Sequence, residues 1–402
     1  MTRERKLAAA IVMCASLVAS SCAATSAAGG ASAETLVPAP VEEAPSLAPP
    51  SAAAPAAVAP ATNLALAEAD DTVPMWVDGT PLQTRGRLVD GRTMVSLKGF
   101  GGEMRMGVNI HADAGTAEIT GGTRTVSFDV GKNTATVGDH RTQVSPGAMF
   151  LDGQTYAPLR FMAENMGFRV VWDATARSVA LFRVEENPLK IDTVKDISET
   201  ETLQVNIQYP RIGGLANKDA EAAFNEHFRK AAAACRAAGE KTEKDLKGQP
   251  NSTDPRVIQV QEWLDYRVAY NRDGIISIVL TQFEYTGGAH GMTVQSSYTM
   301  NIQTGQVYAL SDLFKSDIDY VMLMSDEVKK QIAARGGDIF LLRPFEAIRK
   351  DQDFYTQDGS VVVYFQLYEY TPYVAGIQEF PVEFAALEGS LDPGFEELIM
   401  GD

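Results

Sequence analysis

Between residues 86 and 174 the chain repeats itself, and that repeat limits what it can become more than its composition does. Residues 88–100 (LVDGRTMVSLKGF) match residues 150–162 (FLDGQTYAPLRFM), and residues 107–114 (GVNIHADA) match residues 167–174 (GFRVVWDA). The offset falls from 62 to 60 between the two matches, so the copies differ by two residues in their helical part. Self-similarity of this kind means one supersecondary unit used twice. Each copy predicts a strand, an Asp-Gly turn, a short helix closed by a glycine and a strand that ends at an aspartate turn. In the second copy Pro158 suits the first helical turn, Leu159, Met162, Ala163 and Met166 share a face, and Gly167 supplies the cap. In the first copy Gly99, Gly101 and Gly102 fall inside the helix, each costing about 1 kcal/mol relative to alanine, which predicts an irregular helix. Residues 123–128 and 134–137, on either side of Gly131, predict an extra hairpin.

This arrangement, with GRTMVSLK at 91–98 and TYAPLRFMAENMGFRVVWD at 155–173, resembles the copper amine oxidase N-terminal-like stalk domain of exported bacterial proteins. The resemblance implies a small α+β module at residues 71–185 with a spacer or wall-associated role, without copper and without amine oxidation. His111, at a strand end, and His140, in a turn, are expected to be solvated loop residues rather than metal ligands.

The start of the chain gives an address. Arg3, Arg5 and Lys6 precede an uncharged, alanine-rich stretch that is too short for a membrane span of about 20 residues. Residues 1–21 therefore predict an export signal. Cys22 follows Ala19, Ser20 and Ser21, small residues of the kind that precede a lipid-modified cysteine, and Cys22 is the expected lipidation site. Residues 22–70 are nearly all Ala, Pro, Ser, Val and Thr, too poor in apolar bulk to offset the entropy of ordering, so they predict a disordered, extended tether. The expected location is the outer face of the cell membrane or the cell wall, reached through a lipid anchor only. With a six-residue head before the export signal, no cytoplasmic sigma-binding region is expected.

The formal net charge is −17, and about −19 once the leader's three basic residues and one glutamate are gone. Nucleic acid and anionic lipid are poor partners for such a surface, whereas a basic protein suits it. Cys235 is the one cysteine expected in a folded region, so no intramolecular disulfide is available, and its place in a helix after Ala231 predicts a small buried hydrophobe.

After Pro188 the pattern changes, and residues 187–402 predict a second domain. Residues 202–209 alternate as a strand, and residues 217–234 form an amphipathic helix with Ala220, Phe224, Phe228 and Ala231 on one face. Residues 241–254 are polar and predict a mobile loop. Strands follow, punctuated by the turns Asp273-Gly274, Thr304-Gly305 and Asp358-Gly359. A second helix near residues 318–333 carries Val321, Met324, Val328 and Ile332 inward. The fold class is α+β throughout: two α+β domains behind a tether.

Two segments of the second domain crowd aromatics against glycines at strand ends: YTGGAHG at 285–291 and YFQLYEYTPYVAG at 364–376. Rings give rigid contact area and glycines admit positive φ or close approach, a pairing suited to recognition. With the hairpin NIQTGQVYALSDLF at 301–314 and FYTQDGSVVVYFQLYEYTPYVAGIQEFPV at 354–382, they make the domain resemble the extracytoplasmic domain of the anti-sigma-V factor that senses lysozyme. That domain is also found ahead of some polysaccharide deacetylases. The resemblance implies a non-catalytic ectodomain that binds a partner, most concretely a basic lysozyme-like muramidase, as decoy, inhibitor or sensor. The alternative is an accessory module for cell-wall glycan or peptide.

The expected binding residues are Tyr285, Thr286, Gly287, Gly288, His290, Tyr370, Thr371, Pro372 and Tyr373, converging on one edge of the sheet. On residues 361–370, alternation sets Val361, Val363, Phe365 and Leu367 against Val362, Tyr364, Gln366, Tyr368 and Tyr370. The second set is either a binding row or ordinary core. His290 could act as a general base in a hydrolase, with Glu284 as its partner, but no G-x-S-x-G elbow, H-E-x-x-H or phosphate loop accompanies it. No catalytic residue, cofactor or metal site is expected, and His227 is expected to be solvated on its helix.

If Cys22 carries the anchor, Cys22→Ser moves the protein from the membrane fraction to the medium. Mass spectrometry that finds no acyl group on a wild-type protein already free in the medium would refute this.

Overall fold

The computed structural model describes residues 71–247, 259–337 and 341–400. The export signal, Cys22 and the tether lie outside the described residues, as does the second half of the expected loop at 241–254, residues 248–254.

In the stalk, the repeat builds a sheet about a local two-fold. Gly86–Val89 and Arg92–Ser96 form one hairpin, Met149–Leu151 and Gln154–Pro158 the other. Arg92–Ser96 pairs antiparallel with Gln154–Pro158, with Val95 opposite Ala157. Those two residues occupy the same position in their copies, so the pseudo-dyad passes between them. Each hairpin leads into a helix, Leu97–Met104 or Leu159–Asn165. The glycine-rich first helix is regular, contrary to expectation. A Cβ on Gly101 would stand 2.3 Å from Val108 Cγ2 and one on Gly99 2.8 Å from Thr84 Oγ1, so close packing offsets the propensity cost. The extra hairpin is present within a five-stranded antiparallel sheet running from Gly107–His111 to His140–Gln143. His111 is exposed at its strand end.

The second domain stacks helix, sheet, sheet and helix. Its strands are labelled β1 (Lys190–Glu199), β2 (Leu203–Gly213), β3 (Val260–Arg272), β4 (Ile275–Tyr285) and β5 (Met292–Asn301), which form one five-stranded sheet in that order. All its pairs are antiparallel except β2 with β3, whose parallel pairing spans the helix α1 (Lys218–Lys247). Asn217 caps that helix, its Oδ1 accepting from the Ala220 N–H at 3.0 Å. The helix extends through Lys247, so residues 241–247 are helical rather than loop. Phe224, Phe228 and Cys235 of α1 pack on Val205, Ile207, Ile276, Ile278 and Leu280. Against the other face lies a three-stranded sheet, β6 (Phe354–Gln357), β7 (Ser360–Phe365) and β8 (Gln378–Glu383), joined to it through Val279, Tyr355, Val362 and Tyr364. Behind that sheet, α2 (Tyr320–Ala334) buries Met324, Val328 and Ile332 against Val361, Val363 and Phe365.

Stalk and second domain meet where β2 and β3 cease to pair, after Ile207 and Leu264. His140 is buried there rather than solvated: its ring stacks on Tyr266 at 4.4 Å and its Nε2 bonds the Asp265 carboxylate. The Thr142 hydroxyl donates to Asp265 at 3.2 Å, and the Gln208 side-chain amide pairs with the backbone N–H and C=O of Arg141 at 3.3 and 2.8 Å. A local sequence pattern does not show a contact made 125 residues away. His227 also departs from expectation, packing on the Tyr298 ring at 4.5 Å.

Beneath α1 lies a buried acid. Glu262 on β3 stands opposite Glu284 on β4; its Oε2 accepts from the Cys235 thiol at 3.4 Å, and its Oε1 has no partner among the described residues. Cys235 is therefore buried as expected but also hydrogen-bonded. Burial, then the nearby Glu284 charge, pushes the Glu262 carboxyl up to about 8, and burial raises Glu284 as well.

No helix among the described residues is long and apolar enough to cross a membrane, and no group of three or more His, Cys, Asp or Glu there could hold a metal ion.

Two predictions follow from these contacts. A fragment beginning at Glu186 should fold cooperatively but melt lower than the full chain, by about 2–4 °C for each kcal/mol lost at the Tyr266 seat. Equal melting temperatures would show that the stalk contact contributes nothing. For Glu262, the native state holds a proton that the unfolded chain releases near pH 4.5, the ordinary glutamate value. Stability is therefore greatest below that pH and declines as pH rises toward about 8. Glu262→Gln keeps the hydrogen-bonding shape without the charge, so urea melts of the variant at acid and mildly alkaline pH should differ less than those of the wild type. Unchanged pH dependence would show that Glu262 is ionised in the native protein.

Candidate functional site

The first aromatic–glycine segment leaves the sheet at the end of β4. Gly287 and Gly288 take φ of +92° and +104°, which only glycine adopts without strain, and the Tyr285 hydroxyl donates to the Gly288 carbonyl at 3.1 Å. Thr286 lies within this loop, half-buried. The chain then passes beneath the Phe283 ring at Gly291, where a Cβ would stand 2.4 Å from Phe283 Cε2 and Cζ. That close approach starts β5 and leaves His290 exposed.

The second segment is held by an edge contact. β7 ends at Phe365, and the side-chain amide of Gln366 pairs with the backbone of Gln295 on edge strand β5, accepting from its N–H at 3.0 Å and donating to its C=O at 2.7 Å. Gln366 thus stands where a further strand would add and covers part of an edge that would otherwise be open to pairing. The Glu369 carboxylate accepts from the Gln366 N–H at 2.9 Å and pairs with Arg349. Between them Tyr368 takes φ +63°, uncommon for a bulky residue, which throws its ring outward. Thr371 and Pro372 lead into a single 3-10 turn, Tyr373–Ala375.

The two segments converge. The His290 and Tyr373 rings stack at 3.9 Å and 22°, Tyr368 lies 5.9 Å from Tyr373, and the Tyr368 hydroxyl stands 3.3 Å from His290 Nε2. Beside them Val374 is 92% exposed, an apolar tip on the rim of the cluster.

Not every expected residue joins it. Tyr370 turns inward to Phe365 and Phe345, at 4.7 and 5.4 Å, with Arg343 over its outer face at 4.6 Å. Thr371 is buried, its hydroxyl unpartnered among the described residues, in an apolar pocket shared with Ile332, Phe365 and Phe380. The strand stops before Tyr370, so the alternation expected for residues 361–370 does not hold beyond Phe365. Tyr368 takes the place assigned to Tyr370. Tyr364, from the expected tyrosine row, is core: it lies between the two sheets with its hydroxyl 3.1 Å from that of Ser297. Glu284 does not pair with His290; it points to the α1 side, where the Thr242 hydroxyl donates to it at 3.3 Å. His290 Nδ1 instead faces the Gly291 carbonyl at 3.0 Å. The cluster offers flat rings and one imidazole at the surface, an arrangement for contact rather than proton transfer.

Comparisons with known proteins match three stretches of the chain. Residues 76–181 match the copper amine oxidase N-terminal domain, residues 197–293 the domain described as deacetylase PdaC, and residues 311–385 a protein family of unknown function, DUF3298. The peptidoglycan-N-acetylmuramic acid deacetylase PdaC of Bacillus subtilis is 28% identical over 136 residues, covering 32% of this chain and 28% of that protein. The anti-sigma-V factor RsiV of the same organism is 25% identical over 204 residues, covering 48% of this chain and 67% of that protein. Two crystal structures of DUF3298 proteins, from Bacteroides fragilis and Pseudomonas aeruginosa, each cover 52% of this chain and 97% of their own, at 16% and 18% identity and TM-scores of 0.45 and 0.38. The chain thus carries a stalk domain of the copper amine oxidase N-terminal type followed by a domain similar to those of the anti-sigma-V factor and PdaC.

Proposed function

We propose that this is an exported, lipid-anchored, non-catalytic protein of the cell envelope whose second domain captures a basic muramidase of the lysozyme class, as decoy, inhibitor or sensor. The observation that carries the reading is the stack of His290 on Tyr373, which joins two segments 83 residues apart into one exposed aromatic cluster with Tyr368. Rigid rings at the centre of a contact patch act as anchors. The acidic balance of the chain adds long-range attraction for a basic protein. The likeness to the anti-sigma-V factor supports an envelope sensor or binder over an enzyme. The stalk and tether would hold the site clear of the anchor.

Tyr373→Ala should weaken binding of hen-type lysozyme by about 2 kcal/mol in calorimetry, the loss of one anchor ring, with the melting temperature nearly unchanged. Binding of wild type should weaken as salt rises. Lost stability with unaltered affinity would assign Tyr373 to the core and remove it from the site.

A further inference from the structure

Tyr370 and Thr371, which stay out of the aromatic cluster, line a pocket on the α2 side of β7 and β8. Its apolar wall comes from Ile332, Leu341, Phe365 and Phe380, and the cavity measures about 60 Å³. A water needs about 10–15 Å³ on the same measure, so there is room for about four non-hydrogen atoms, a branched aliphatic side chain rather than a sugar or a base.

The polar groups of the pocket are not spent on one another. The Thr371 hydroxyl is buried and bonds nothing among the described residues, which costs stability unless a ligand supplies the bond. Arg335, just past the end of α2, lies over the Phe380 ring at 4.4 Å and uses one terminal amino group, on the Glu379 carbonyl at 2.8 Å and on Gln331 Oε1 at 3.4 Å. Its Nε–H and its other amino group make no hydrogen bond or ion pair among the described residues. Partial burial alone draws the guanidinium below its ordinary value, with no carboxylate nearby to offset it. Arg343 adds a second guanidinium at the Tyr370 wall, 4.6 Å over that ring, and its one hydrogen bond runs from Nε–H to the Glu369 carbonyl at 2.8 Å. Arg349, by contrast, is paired with Asp351, Asp353 and Glu369. The Gln378 side-chain amide donates to the Ala375 and Gly376 carbonyls at 2.6 and 3.3 Å, so its Oε1 is left as an acceptor without a partner among the described residues.

These groups define their complement. An apolar hole of side-chain size takes an aliphatic group. Guanidinium takes a carboxylate through paired, charge-assisted hydrogen bonds, and the ring beneath Arg335 holds its plane in place. An amide oxygen takes an N–H. A polypeptide presents all three on one carbon only at its last residue. We infer that this pocket binds the C-terminal residue of a peptide that ends in leucine or a similar branched aliphatic residue, its side chain among Phe365 and Phe380, its carboxylate on Arg335 and Thr371, and its N–H on Gln378. The inference is separate from the capture of a muramidase and does not rest on it.

The test is an NMR titration of the full chain with N-acetyl-L-leucine, which carries the three groups, against probes that each lack one: N-acetyl-L-leucinamide, N-acetylglycine and 4-methylpentanoate. N-acetyl-L-leucine should bind saturably, the amide and the glycine derivative about tenfold or more weakly, and 4-methylpentanoate a few fold more weakly. Arg335→Gln should weaken binding of N-acetyl-L-leucine about tenfold. Thr371→Val should weaken it by a few fold while raising the melting temperature of the free protein, because it removes a hydroxyl left unsatisfied until the ligand arrives. A hydroxyl with a purely structural role would shift the melting temperature the other way. No saturable binding by wild type, equal binding of the amide, unchanged affinity in either variant, or a lower melting temperature for Thr371→Val would each overturn the inference. Equal affinity for N-acetyl-L-leucine and 4-methylpentanoate would overturn the assignment to a peptide end.

Discussion

The second domain depends on the burial of β4 from both sides. Ile276, Ile278 and Leu280 press against α1 while Ser277 and Val279 face the small sheet, so the run from Ile275 to Leu280 is buried without a break. The Ser277 hydroxyl lies 2.8 Å from that of Thr299 and accepts from the Thr356 N–H at 3.2 Å. This is a polar pin between the two sheets, beside that of Ser297 on Tyr364, and it sets the small sheet at one position along the large one. A hydroxyl left unpaired there would cost more than its bond contributes, so the register between the sheets is specified and not merely permitted.

From that register the site follows. With β6 pinned at Thr356, its neighbour β7 ends at Phe365, where Gln366 meets the edge of β5 at Gln295. The amide covers the edge and fixes the direction in which residues 367–373 depart, and the left-handed turn at Tyr368 brings them to His290. His290 itself is presented because Gly291 lets Phe283 lie on the backbone. The cluster is therefore built on strand ends held by the core, which suits a contact surface that must keep its shape.

What could be foreseen in the sequence was what the chain encodes locally. The Asp273-Gly274 turn shows its conformation in its letters, and both residues have the positive φ such a turn requires, +53° and +70°. The stalk repeat, the two amphipathic helices and the two aromatic–glycine segments were legible for the same reason. Tyr370 was not separable from Tyr368, because the residue that ends the strand ahead of both, Gln366, is bonded to Gln295, 71 positions earlier. His140 had no local signal for its seat on Tyr266. The glycines of the first stalk helix were misleading in the opposite sense: propensity counts their entropy cost, while the value of their missing side chains lies in Val108 and Thr84 across the interface.

Alternation on β3 and β4 also sets the two acids Glu262 and Glu284 apart from three aromatic rings. Glu262 and Glu284 point toward α1, while Trp263, Phe283 and Tyr285 point the other way. A one-residue slip of either strand would bury rings beneath the helix and carry carboxylates to the open face. Keeping the acids under α1 is costly, as the raised Glu262 carboxyl shows, whereas the carboxylate that follows Trp263 on its own face, Asp265, is matched by His140 and Thr142 of the stalk.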